Sequence, residues 1–244
     1  TAYVLNQKDI PLSLKSRKVR EPRLNTLLTK LAAVEKPLIP IDDKKIASWN
    51  ALVLRALLKA QEYSTDQRYS QRAKRHYQYI TQHFIHQSKD EKKISVNRFA
   101  TQAQKAEITL EDYAHLALAL QRYALKAGSV PAQQQAKRLV EGAFARFFID
   151  GRWVQDPESL VPGDAGDLII QDSVLESPSS ILLQTVLLMP ELNASIQQIA
   201  SQLLTRLTKD LLELPYHYGS SILTAIDAIE QDKDSAKLNK PPKE

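Results

Sequence analysis

With 244 residues, 43% of them apolar and 25% charged, the chain can bury one large core or two small ones and has the composition of an ordinary globular protein. Six glycines argue against a loop-rich β fold, the lack of cysteine excludes disulfides, thiolate metal sites and cysteine catalysis, and no apolar run approaches the roughly 20 residues that cross a bilayer. The net charge of +5 is scattered over outer helix faces and both termini without interleaved aromatics, which argues against nucleic acid as a partner.

The chain starts at Thr1 with no charged-then-apolar leader, so it reads as a chain whose leader has been removed or as a piece of something longer. Residues 1–21, with Lys8, Lys15, Arg17, Lys18 and Arg20 around Pro11, read as an extended basic lead-in. From about Pro22 to Val34, Leu24, Leu27, Leu28 and Leu31 give a short amphipathic helix that Pro37 and Pro40 stop. Asp42 and Asp43 then open a helix in which Ile46, Trp49, Leu52, Val53, Leu54, Leu57 and Leu58 leave scarcely any polar side. A helix apolar nearly all round must be covered on several sides. The next segment, Asp66 to His86, keeps Tyr69, Ala73, His76, Tyr77, Ile80 and Phe84 on one stripe, as a half-buried helix does.

That pairing recurs. After a long connection with a strand-like fragment at 94–99, Thr109 and Asp112 have the spacing of a capping box, and Leu110, Tyr113, Leu116, Leu118, Leu120 and Tyr123 surround another buried helix ended by Gly128. Its striped partner starts at Pro131. A second long connection, 150–177, leads to a third buried helix from about Pro178 to Leu188, partnered by Leu192, Ile196, Ile199, Leu203, Leu207 and Leu211. A fourth inner-type helix covers about Tyr216 to Ile229, and residues 231–244, rich in Lys, Asp and Pro, read as a disordered tail.

Inner helices apolar on every side fit a closed or curved double layer. The expected fold is therefore all-α, an α/α toroid of helical hairpins spanning residues 22–230, with an open α-solenoid as the alternative. In a toroid the inner helices run parallel, so their starts gather on one rim. Asp42, Asp43, Asp112 and Asp172 lie at those starts and are the candidate catalytic groups, since a pair of carboxylates across a groove is what glycoside hydrolysis requires. Acidic residues there also cap free N–H groups, a role that Glu111 and Asp112 fit. Trp49, Asn50, Tyr113 and His217 are the candidate substrate-binding residues. The histidines at 76, 83, 86, 115 and 217 form no metal-like cluster, Gly163 to Asp167 lacks the EF-hand pattern, and no phosphate-binding glycine motif appears, so neither a metal nor a cofactor is expected.

Three stretches together carry a likeness. Asp42-Asp43-Lys44 with Ser48-Trp49-Asn50, then Leu110-Glu111-Asp112-Tyr113-Ala114, then Asp172-Ser173-Val174-Leu175-Glu176-Ser177 resemble the C-terminal region of the YyaL and spermatogenesis-associated protein 20 family, the thioredoxin-domain-containing proteins of the DUF255 type. The resemblance spans roughly residues 20–230 and implies an (α/α)6 region similar to six-hairpin glycosidases and N-acylglucosamine 2-epimerases. The family's third motif usually reads D-x-A-L-P-S-G-N-S, where Glu176, Pro178 and Ser179 depart from it here, and Ala51 stands in place of a glycine. The likeness implies a carbohydrate as ligand or substrate, and an upstream thioredoxin-like domain or a second chain completing the ring. The competing expectation is a non-catalytic scaffold for a redox domain or partner chain.

Overall fold

The computed structural model describes residues 22–33, 43–87, 94–101, 108–155, 166–167, 170–206 and 213–238. The chain divides into two compact units, Thr1–Asp43 and Lys44–Glu244. In the first, α1 (Pro22–Ala33) begins on a proline, whose fixed φ suits the first helical position, and exposes Leu27 and Leu28 about halfway. The lead-in expected at 1–21 lies outside the described residues.

The second unit is all-α apart from two short hairpins among the described residues. Its helices are α2 (Ala47–Tyr63), α3 (Gln67–His83), α4 (Leu110–Ala127), α5 (Val130–Phe147), α6 (Pro178–Leu187), α7 (Ala194–Arg206) and α8 (Gly219–Leu238). The last runs past residue 231, where the tail was expected to begin.

Local chemistry sets most boundaries. Asp66 caps α3 by accepting from the Arg68 N–H at 2.9 Å, Ser129 caps α5 with Pro131 behind it, and Ser177 caps α6 with Pro178 behind it. Gly128, at φ +62°, ends α4 in the left-handed conformation.

The helices form two layers. α2, α4, α6 and α8 pack side by side in that order, while α3, α5 and α7 back onto α2, α4 and α6. The row is parallel. Ser48 at the start of α2 meets Asp112 at the start of α4, and Gln121 and Arg122, late in α4, meet Leu188 and Gln184, late in α6. Ser180 and Ser221, at the starts of α6 and α8, share a hydroxyl hydrogen bond, and Gln184 meets Asp227 further along the same pair. The backing helices return antiparallel: His76, past the middle of α3, bonds the Asn50 carbonyl near the start of α2, Phe147 at the end of α5 lies edge-on to Tyr113 at the start of α4, and Gln197, early in α7, donates to the Met189 carbonyl just after α6.

α4 is the most enclosed element, with Leu110, Ala114 and every residue from Leu116 to Leu120 fully buried. The end helices differ from the expectation of complete enclosure. Trp49 and Val53 of α2 are 57% and 48% exposed, and Leu223, Ile226 and Ile229 of α8 are likewise open to solvent. Among the described residues each end helix has an inner-row neighbour on one flank, and the apolar side chains named above lie on exposed surface.

Both long connections fold back onto helix starts. After β1 (Ile85–Gln87) pairs with β2 (Ile94–Val96), the chain bonds Ala47 N–H through the Arg98 carbonyl at 2.9 Å. β3 (Phe148–Ile149) and β4 (Arg152–Trp153) form a hairpin whose turn residues, Asp150 and Gly151, both have positive φ, the two-residue turn that an Asp-Gly pair favours. Gln155 then accepts from the Leu110 N–H at 3.1 Å. Gly166 is required where it pairs with β4, since a Cβ there would lie 2.6 Å from the Trp153 carbonyl oxygen.

Leu116→Ala, which opens a cavity in the middle of α4, should cost about 2–5 kcal/mol in urea unfolding of the full chain. Val53→Ala, on the open flank of α2, should stay within about 0.5 kcal/mol of the parent.

Candidate functional site

The inner helices need their free N–H groups satisfied at one shared end, and the sequence supplies carboxylates for it. Ile46 at the N-cap position of α2 has no side chain able to cap. The acceptor comes instead from α4, where Asp112 Oδ1 takes the Ser48 N–H at 3.3 Å and its other oxygen takes the Thr109 N–H at 3.3 Å. Glu111 accepts from the Ser48 hydroxyl at 2.9 Å. Asp112 is 1% exposed; burial raises its pKa, against the pull of Arg98, 3.7 Å away, and of the Thr109 and Ser48 N–H groups. Asp172 does the same for the next pair of helices, accepting from the N–H groups of Ser177 and Ser220 at 2.8 Å each and from the Ser220 hydroxyl.

These two carboxylates were expected to face a common mouth as catalytic groups. Their oxygens are instead engaged at helix starts, and the long connections lie across those starts. Asp42 lies outside the described residues, and Asp43, exposed, ends the first unit. Of the expected binding residues, Trp49 stands in solvent, and Asn50 turns its amide back onto the Ile46 carbonyl at 2.8 Å. Tyr113 is 4% exposed against Phe147. His217 is exposed on a 3-10 turn (Pro215–His217), where its backbone carbonyl accepts from the Asp172 N–H at 2.8 Å. None of these residues lines the cavity of the inner row.

Convergence occurs further down the row. A cavity of about 460 Å³ is walled by Leu58, Leu125, Leu187 and Leu188 and carries Arg55, Lys59, Glu62, Arg122, Lys126, Gln184 and Asp227 from α2, α4, α6 and α8. Arg55 holds Glu176 with two hydrogen bonds, 2.6 and 3.2 Å, its side chain only 13% exposed. Burial opposes the charge on Glu176, but the paired Arg55 guanidinium outweighs it and holds the carboxyl below its usual range. Arg122 donates to the Gln184 amide oxygen at 3.3 Å, and the Gln184 NH2 donates to Asp227 at 3.2 Å.

Beside this network His115 is fully buried, with Nδ1 3.4 Å from Arg55 Nη1. Burial and the Arg55 charge lower its pKa to about 4, so the ring is neutral at pH 7. A guanidinium only donates, which makes Nδ1 the acceptor and puts the proton on Nε2, a buried atom with no partner among the described residues. No group of three or more His, Asp or Glu side chains among the described residues could hold a metal ion, and no described helix is long and apolar enough to cross a membrane.

No protein-family model matches the chain, and no curated protein matches it. The cavity residues had a signal in the sequence all the same. Arg55 interrupts the apolar run 51–58 and Arg122 follows Gln121 within the apolar run 116–125, and a charge in such a run needs a partner or an opening. Glu176, a departure from the third motif of the resembled family, is that partner for Arg55.

Two measurements check these assignments. Asp172→Ala, which frees acceptor sites at two helix starts, should lower stability by about 1–3 kcal/mol. His115 has a folded-state pKa below its unfolded value, so the unfolded chain takes the proton first, and stability is lost as pH falls from about 6.5 towards about 4, by up to about 3 kcal/mol. Glu176 adds to this loss at lower pH and Asp112, with its raised pKa, opposes it. Urea midpoints across that range should show the slope reduced in His115→Leu.

Proposed function

We propose that the chain is the C-terminal α/α-toroid portion of a thioredoxin-domain-containing protein of the YyaL and spermatogenesis-associated protein 20 type, and that it binds a carbohydrate-sized ligand in the cavity of its inner row. The parallel inner row with antiparallel backing helices supports an arc of a toroid over a stack of separate hairpins. The observation that carries the ligand reading is the cavity itself. Four inner helices contribute charged and amide groups suited to hydroxyls, set around leucines that would meet the apolar faces of a sugar ring, in a volume of monosaccharide to disaccharide size. Acid–base cleavage at the rim has less support, because Asp112 and Asp172 already serve as caps.

Calorimetric titration with a panel of mono- and disaccharides should give binding that Gln184→Ala weakens by about tenfold. Asp43→Asn, outside the cavity, should leave it unchanged. Absence of binding by every sugar at millimolar concentration would remove this reading.

The second reading, a non-catalytic scaffold, draws on the open flanks of the row: Trp49 and Val53 at one end, Leu223, Ile226 and Ile229 at the other. It expects concentration-dependent association in light scattering, diminished by Ile226→Ser. A strictly monomeric chain that captures no partner would count against it.

A further inference from the structure

The charges in the cavity do not cancel evenly. Arg55 is taken by Glu176 and Lys59 by Glu62, the latter pair 2.6 Å apart. Asp227 accepts from the Gln184 amide and acts on Arg122 through space, without a salt bridge to it. That leaves Arg122 and Lys126, one turn apart on α4, with no salt bridge to any carboxylate among the described residues. Like charges at this spacing repel unless something stands between them. The helix dipole accounts for Lys126, which lies in the last turn of α4, where a cation offsets free carbonyls. It does not account for Arg122, which is more than one turn from the end and partly buried beside the Arg55 guanidinium. Burial and the Arg55 charge disfavour a cation there more than the nearby Glu176, Glu62 and Asp227 carboxylates favour it, yet an arginine stays protonated at neutral pH.

We infer that the ligand of this cavity carries an oxyanion, as a sugar phosphate or a sugar acid does, and that Arg122 and Lys126 receive it. This deepens the reading of the cavity as a carbohydrate site and rests on it. Arg122 presents a planar fork matched to two oxygens of a phosphate or carboxylate, with Gln184 bracing one side, and Lys126 adds a point charge from the more exposed rim. Arg55 is held back by Glu176 and serves as a charged floor. The leucine wall and the Gln184–Asp227 pair remain for the uncharged part of the molecule.

The test is calorimetric titration of the full chain, at low ionic strength, with glucose, glucose 6-phosphate and glucuronate. At least one charged sugar should bind about tenfold or more tightly than glucose, and added salt should weaken it. Arg122→Gln and Lys126→Gln should each erode that preference, with Lys74→Gln, exposed on α3, as the neutral control. Lys126 is exposed, so its variant keeps the test valid should Arg122→Gln fail to fold. A preference for the phosphate ester or for glucuronate names the source of the oxyanion. Glucose binding as tightly as both charged sugars, in the parent and both variants, would overturn the oxyanion while leaving the carbohydrate reading intact. No binding by any of the three, nor by any sugar of the mono- and disaccharide panel, would overturn both.

Discussion

The structure depends on how the starts of its inner helices are satisfied. An α-helix leaves its first N–H groups without partners, and a row of parallel helices gathers all of those donors at one end. Here the acceptors are borrowed across helices: α4 lends Asp112 to α2, and Asp172 serves α6 and α8 together. A buried carboxylate is costly alone, but one that accepts two or three N–H or O–H bonds is held in the only place those bonds exist. The same contacts fix register, because Ser48 can meet Asp112 only if α2 and α4 start at one level. They also give Asp112 and Asp172 a structural role at the helix starts.

With that end closed, the polar residues left over acquire significance. Arg55 and Arg122 lie away from the caps, and Glu176, next to the Ser177 cap, turns its carboxylate to Arg55. Arg55 and Arg122 project from the inner row, where each would be unfavourable without a partner or access to water. With Glu176 they cluster beside the buried His115. Ordinary helix stability offers no reason for such a cluster.

Much of this architecture was legible in the chain. The alternation of helices apolar all round with helices striped on one side foretold the two layers, since α4 and α6 do have neighbours on several sides. The Thr109–Asp112 spacing placed the start of α4 correctly. Helix α2 misled because its composition describes what a neighbour could cover, whereas exposure depends on whether a neighbour is there; Trp49 is the instance. The Asp150–Gly151 hairpin was readable from turn chemistry but sat in a stretch read as a loop. For the site the difficulty was deeper. Asp112 and Asp172 look alike as caps and as catalysts in sequence, and only the identity of their hydrogen-bond donors separates the two roles. The pairing of Arg55 with Glu176 spans 121 positions, a distance at which local pattern carries no information.

The borrowed caps also bear on how such a chain can grow. Because one acid in each new hairpin can close the start of its neighbour, lengthening the row asks for little beyond a repeat of the same hairpin with its acid in place. A protein assembled this way can gain or shed hairpins at its margins while its middle, centred on α4, goes on unaltered.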